Sequence, residues 1–100
     1  MLVNDCLRLV RMSNRKVNEV RVGLNESPEH RAKKEEICEE LRLQGKSFVT
    51  EAIFVTGGRA DIFVLSDALV VEILCSEKES NIVNKRGLYP KGLRFEVVRV

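Results

Sequence analysis

The chain has 100 residues, 44% of them apolar and 32% charged, with a formal net charge of +2. That composition supports one small domain (1–100) with a modest core and a solvated surface, and it argues against disorder. The small net charge does not by itself mark a nucleic-acid binder. No apolar run approaches the roughly 20 residues of a membrane span, so no membrane partner and a soluble, cytoplasmic protein are expected.

Residues 1–24 read as an N-terminal β extension. Leu7 and Leu9 flank Arg8, and Val20 and Val22 flank Arg21, an alternation of period two with a turn at Ser13-Asn14-Arg15. Arg8, Arg11, Arg15, Lys16 and Arg21 make this the most basic part of the chain, either a solvated face or a patch for a nucleic-acid backbone. Ser27-Pro28 is a helix start, with a capping hydroxyl and a proline suited to the first helical position. The spacing predicts a helix over 28–43 that stops near Gly45. Its apolar side carries Ile37, Cys38 and Leu41, and stepping back by helical turns brings Lys34, Lys33 and His30 onto that side. A basic first half suits a helix that borders a site; the plain alternative is a solvated, frayed end.

Residues 46–54 form a first core strand with Glu51 in its middle. Gly57-Gly58 make a hairpin turn, Asp61 opens the second strand, and a turn at Ser66-Asp67 leads to a third over 68–74. By strict alternation Asp61 shares a face with Phe63 and Leu65. Glu72 sits among Val70, Val71, Ile73 and Leu74, a run apolar on both faces and therefore a central, buried strand. If these two strands pair, Asp61 and Glu72 approach each other. Two such carboxylates need a cation between them, and a divalent metal with oxygen ligands supplies one; an ion pair with Arg or Lys is the plain alternative. Residues 75–86 read as a helix or long loop, and 93–100 as a last strand. Cys6, Cys38 and Cys75, odd in number and far apart, are expected as free thiols. Few aromatics leave little for base stacking.

The order of a turn, Arg59-Ala60-Asp61, apolar residues and then an apolar strand carrying Glu72 resembles the PD-(D/E)xK nuclease superfamily. Within it the form is most similar to the resolvase-type and competence-associated branches. The resemblance spans Ser27 to Val100 and implies an α+β domain with the restriction-endonuclease-like αβββαβ core over 27–100. It further implies metal-dependent cleavage of nucleic acid, DNA above all, with Mg²⁺ or Mn²⁺ held by Asp61, Glu72 and Glu51. A helix carboxylate (Glu29, Glu35 or Glu36) is a further candidate, as is Glu77 beyond the third strand. The chain departs from the family in reading Glu72-Ile73-Leu74, with leucine where a lysine is usual. Lys34, Lys78 and Lys85 are the candidate replacements, and His30 joins the candidate catalytic residues. The alternative is a catalytically degenerate module that binds nucleic acid or a protein partner without cleavage. A third reading is a small structural protein that dimerises through edge strands; a homodimer would also help so small a domain span a duplex.

Overall fold

The computed structural model describes residues 3–24, 26–75 and 87–100. A short helix, α1 (Val3–Leu7), and a 3₁₀ turn (Met12–Asn14) precede a long helix, α2 (Pro28–Leu43). The described strands are β1 (Phe48–Ile53), β2 (Arg59–Val64), β3 (Leu69–Leu74) and β4 (Arg94–Arg99). They make one mixed sheet in the order β1-β2-β3-β4, antiparallel at the first two junctions and parallel between β3 and β4. This is an α+β domain. Its Cα radius of gyration, 12.5 Å, matches the about 13 Å of a single domain of this length.

Local chemistry sets the ends of α2. Ser27 Oγ accepts the His30 N–H at 3.1 Å, and Pro28 occupies the first helical position, where an N–H would have no helical partner. At the other end Lys46 N–H reaches Leu41 O and Gly45 N–H reaches Arg42 O, so the last carbonyls are satisfied. The helix buries Lys34, Cys38 and Leu41.

The sheet is covered on both faces. Cys38 and Leu41 of α2 pack on Phe48, Ile62, Val64, Val71 and Ile73. The other face carries Val49, Phe63 and Val70 and is closed by Cys6 and Val10 from the N-terminal segment. Phe54 and Phe63 meet edge-on at 5.1 Å there, with Tyr89 beside Phe54 at 5.4 Å. Cys6 and Cys38 are buried free thiols and Cys75 is an exposed one.

The expected N-terminal β extension is not a strand pair. The described part of 1–24 holds α1 and the 3₁₀ turn, with a single bridge, Val10 to Phe54. The physical reason is that this segment serves the edge of β1 instead of pairing with itself. Asn14 Oδ1 accepts the Ile53 N–H at 2.7 Å, Asn18 Oδ1 accepts the Phe48 N–H at 3.0 Å, and Arg11 N–H donates to Ile53 O at 2.8 Å. Side-chain oxygens replace a ladder and blunt the edge. No helix among the described residues is long and apolar enough to cross a membrane.

Phe63 is fully buried in the aromatic group, whereas Met12 is 83% exposed. Phe63→Ala is expected to cost about 3–5 kcal/mol and Met12→Ala under about 0.5 kcal/mol, both read from urea denaturation. Equal effects would contradict the described packing.

Candidate functional site

The site begins with a break in strand alternation. Val49 and Phe63 pair on the face away from α2, yet so do Ala52 and Ala60, which period-two spacing would put on the opposite side. Both strands reset at one level, the rung where Glu51 and Asp61 would meet, and that rung is absent from the ladder. Glu51 makes the reset by taking a left-handed backbone, with φ at 49°. As a result Glu51 and Asp61 both reach the α2 side. The expected common face of Asp61, Phe63 and Leu65 is therefore not found: Phe63 and Leu65 lie in the opposite core.

On α2 the two carboxylates meet side chains one turn apart. His30 Nε2 lies 3.2 Å from Asp61 Oδ1, and Lys34 Nζ lies 3.0 Å from Glu51 Oε1. Glu26, just before the helix, joins both: its carboxylate is 2.6 Å from His30 Nδ1 and 2.8 Å from Lys34 Nζ. Lys34 is fully buried, and Glu26, Glu51 and the Arg21 carbonyl accept hydrogen bonds from its three N–H groups. Gly23 completes the cluster. Its N–H donates to Glu26 at 2.8 Å, and a Cβ there would stand 3.0 Å from Glu51 Oε1. Burial pushes the Glu26 carboxyl up, but the bonds from Lys34, the Gly23 N–H and His30 outweigh it and hold the group below its ordinary 4.5.

Asp61 links this cluster to a cleft. β2 and β3 pair from Val64↔Leu69 to Ile62↔Val71 and then part. Beyond the last rung Asp61 Oδ2 accepts the Ile73 N–H at 2.7 Å, so a side chain takes the place of a ladder bond. Gly57, Gly58, Arg59, Asp61, Glu72 and Leu88 line the opening, about 370 Å³ in volume. Glu72, 1% exposed, takes a hydrogen bond from the Tyr89 hydroxyl, which also stands 2.9 Å from the Arg59 carbonyl. Gly58 permits this approach, since a Cβ there would lie 2.7 Å from the Tyr89 ring.

Asp61 and Glu72 thus come together in one cleft, and His30 stands behind Asp61. Glu51 and Lys34 are brought to each other in the buried cluster and do not line the cleft. Lys33 pairs outward with Glu36. Leu74 is buried in β3. Glu77, Lys78 and Lys85 lie outside the described residues. Sequence reasoning missed Glu26 and Tyr89. Glu26 could have been found as the acid one helical turn before His30, and Tyr89 as the single tyrosine of the chain. Among the described residues no three His, Cys, Asp or Glu side chains gather as a metal-binding group. The cleft offers two carboxylates, a set that fits Mg²⁺, which is commonly held by one or two carboxylates, waters and substrate phosphate. Comparison with protein-family models, curated proteins and solved structures finds no match.

The lowered Glu26 carboxyl has a definite pH signature. Its folded value lies below the unfolded one, so its contribution to stability is complete above about pH 4.5 and is lost as pH falls through the folded value. Between about pH 5 and 3 the unfolding free energy of Glu26→Gln is expected to fall less steeply than that of wild type, as read from urea denaturation at stepped pH. Parallel slopes would mean that Glu26 is not held by these bonds.

Proposed function

We propose that the chain is a metal-dependent nuclease domain that cleaves phosphodiester bonds of nucleic acid, with DNA as the favoured polymer. The observation that carries this reading is the placing of Asp61 and Glu72 in one cleft where β2 and β3 part. Among the described residues the order of α2, three antiparallel strands and a parallel β4 is in keeping with the corresponding parts of a restriction-endonuclease-like αβββαβ core, whose second helix would fall in 75–86, a segment that beyond Cys75 lies outside the described residues. Asp61 and Glu72 would hold Mg²⁺ or Mn²⁺. Such an ion, when bound, lowers the pKa of a coordinated water and offsets charge on a phosphoryl oxygen. Arg59, exposed at the cleft wall, supplies a fork of N–H donors suited to a phosphate. Tyr89 holds the Glu72 carboxylate in place, and the Ile73 N–H does the same for Asp61.

Three observations favour a second reading, a nuclease-like module that binds nucleic acid or a protein without cutting. Leu74 is packed into the core at the family's lysine position, and Lys34 is committed to Glu26 and Glu51. No lysine among the described residues lines the cleft.

Calorimetric titration of Mg²⁺ and Mn²⁺, followed by cleavage assays on linear and branched DNA, separates the readings. Wild type is expected to bind metal and cut, and Asp61→Ala/Glu72→Ala to lose both. Metal and DNA binding without cleavage favours the module. Absence of metal binding in wild type would falsify the cleft as a metal site.

A further inference from the structure

The cluster behind the cleft contains a residue with no role so far. Glu26 lies outside the cleft and outside the helix, yet it is 3% exposed in its side chain and receives hydrogen bonds from Gly23, Lys34 and His30. An acid this well held is a fixed point against which a neighbour can be set. The neighbour is His30. Its backbone N–H is tied to Ser27 Oγ, its Nδ1 to Glu26, and its Nε2 is aimed at Asp61 Oδ1. With a proton on each ring nitrogen the ring donates to Glu26 at one end and to Asp61 at the other, and its orientation is set from the Glu26 side.

We propose that Glu26 and His30 form a positioning pair that holds the Asp61 carboxylate in the orientation required at the cleft. Asp61 itself takes part in no ladder rung, while Ala60 and Ile62 on either side of it pair with β1. The ladder rung at Glu51–Asp61 is missing on one side, and the β2–β3 ladder has ended on the other. Two contacts replace those rungs, and each takes one carboxylate oxygen: the Ile73 N–H binds Oδ2, and His30 faces Oδ1. Each oxygen keeps accepting capacity for a ligand, because a carboxylate oxygen has two lone pairs. Outer partners of this kind orient ligating groups, and their loss typically weakens a metal site. Lys34 fixes Glu26 from behind and binds Glu51 directly. Glu26 and His30 are thus positioning residues, and neither needs to touch substrate.

The proposal rests on the cleft binding a divalent ion, and its test separates the two. Mn²⁺ is titrated calorimetrically into the full chain as wild type, His30→Gln, His30→Asn, His30→Ala and Glu26→Gln, with thermal unfolding of each as a control for folding. Replacing His30 by Ala is expected to weaken Mn²⁺ binding roughly 10–100-fold. Glutamine, whose amide extends far enough to donate to Asp61, should recover part of the loss. Asparagine, which matches only the Nδ1 end of the ring, should behave like alanine. Glu26→Gln is expected to weaken binding in the same direction. A purely structural role would lower the melting temperatures without this order of affinities, and that result overturns the proposal. Unchanged affinity in His30→Asn and His30→Ala overturns it too, while leaving the cleft as a metal site. A wild type that takes up no Mn²⁺ removes the cleft reading and the positioning pair together.

Discussion

The reset of alternation at Glu51 and Asp61 is the constraint on which the rest of the site depends. An uninterrupted pair of strands would send both carboxylates to the face away from α2, into the core built on Phe63 and Val70. The left-handed Glu51 turns them toward the helix, at a backbone cost on the order of 1–3 kcal/mol. That strain persists because the surroundings over-determine it. Glu51 is bound by Lys34, Lys34 is fully enclosed, and removing Lys34 would take the ammonium from both Glu26 and Glu51. The cluster is thus better understood as a device for orientation than as a source of stability, since buried ion pairs contribute little net stability.

The cleft follows from a second, milder departure from regular pairing. β2 and β3 separate after Ile62↔Val71, and Asp61 spans the parting strands with its side chain. The gap does not collapse because its walls are braced from outside. Tyr89 packs against Phe54 and Phe95 and presents its hydroxyl to Glu72, while Thr56 Oγ1 donates to the Leu88 carbonyl at 2.6 Å. β4, joined to β3 along its whole length, holds the far side. Asp61 is the residue common to the buried cluster and the cleft, so the geometry of one is transmitted to the other through a single carboxylate.

Much of this was legible in the sequence where a local rule governs. The limits of α2 follow from Ser27, Pro28 and Gly45, because capping is decided by neighbours in the chain. The burial of Glu72 follows from its apolar flanks on both sides. What escaped is what local rules cannot contain. Period two says nothing of a non-glycine residue with positive φ, so the reset at Glu51 and the face of Asp61 are not legible from spacing. The alternation of Leu7, Leu9, Val20 and Val22 matches a strand, yet that segment meets β1 through the side-chain oxygens of its own Asn14 and Asn18, which accept the Ile53 and Phe48 N–H groups, and through its Glu19 carbonyl, which accepts from the Thr50 hydroxyl. Lys34 was placed on the correct side of its helix, but its three acceptors come from residues 21, 26 and 51, which only the tertiary fold assembles.

The distribution of the three thiols has a practical consequence for following events at the cleft. Burial pushes the Cys38 thiol up to about 11 and raises Cys6 as well, so neither offers appreciable thiolate near neutral pH, and both are shielded. Cys75 is exposed, directly follows the strand that carries Glu72, and sits 3.5 Å from the Ser27 hydroxyl at the start of α2. A maleimide dye would therefore attach to the native chain at one place, at the start of α2 and three residues beyond Glu72, without any cysteine being removed. Its emission would report molecules arriving at the junction of α2 and β3, and the unaltered protein would serve as its own sensor.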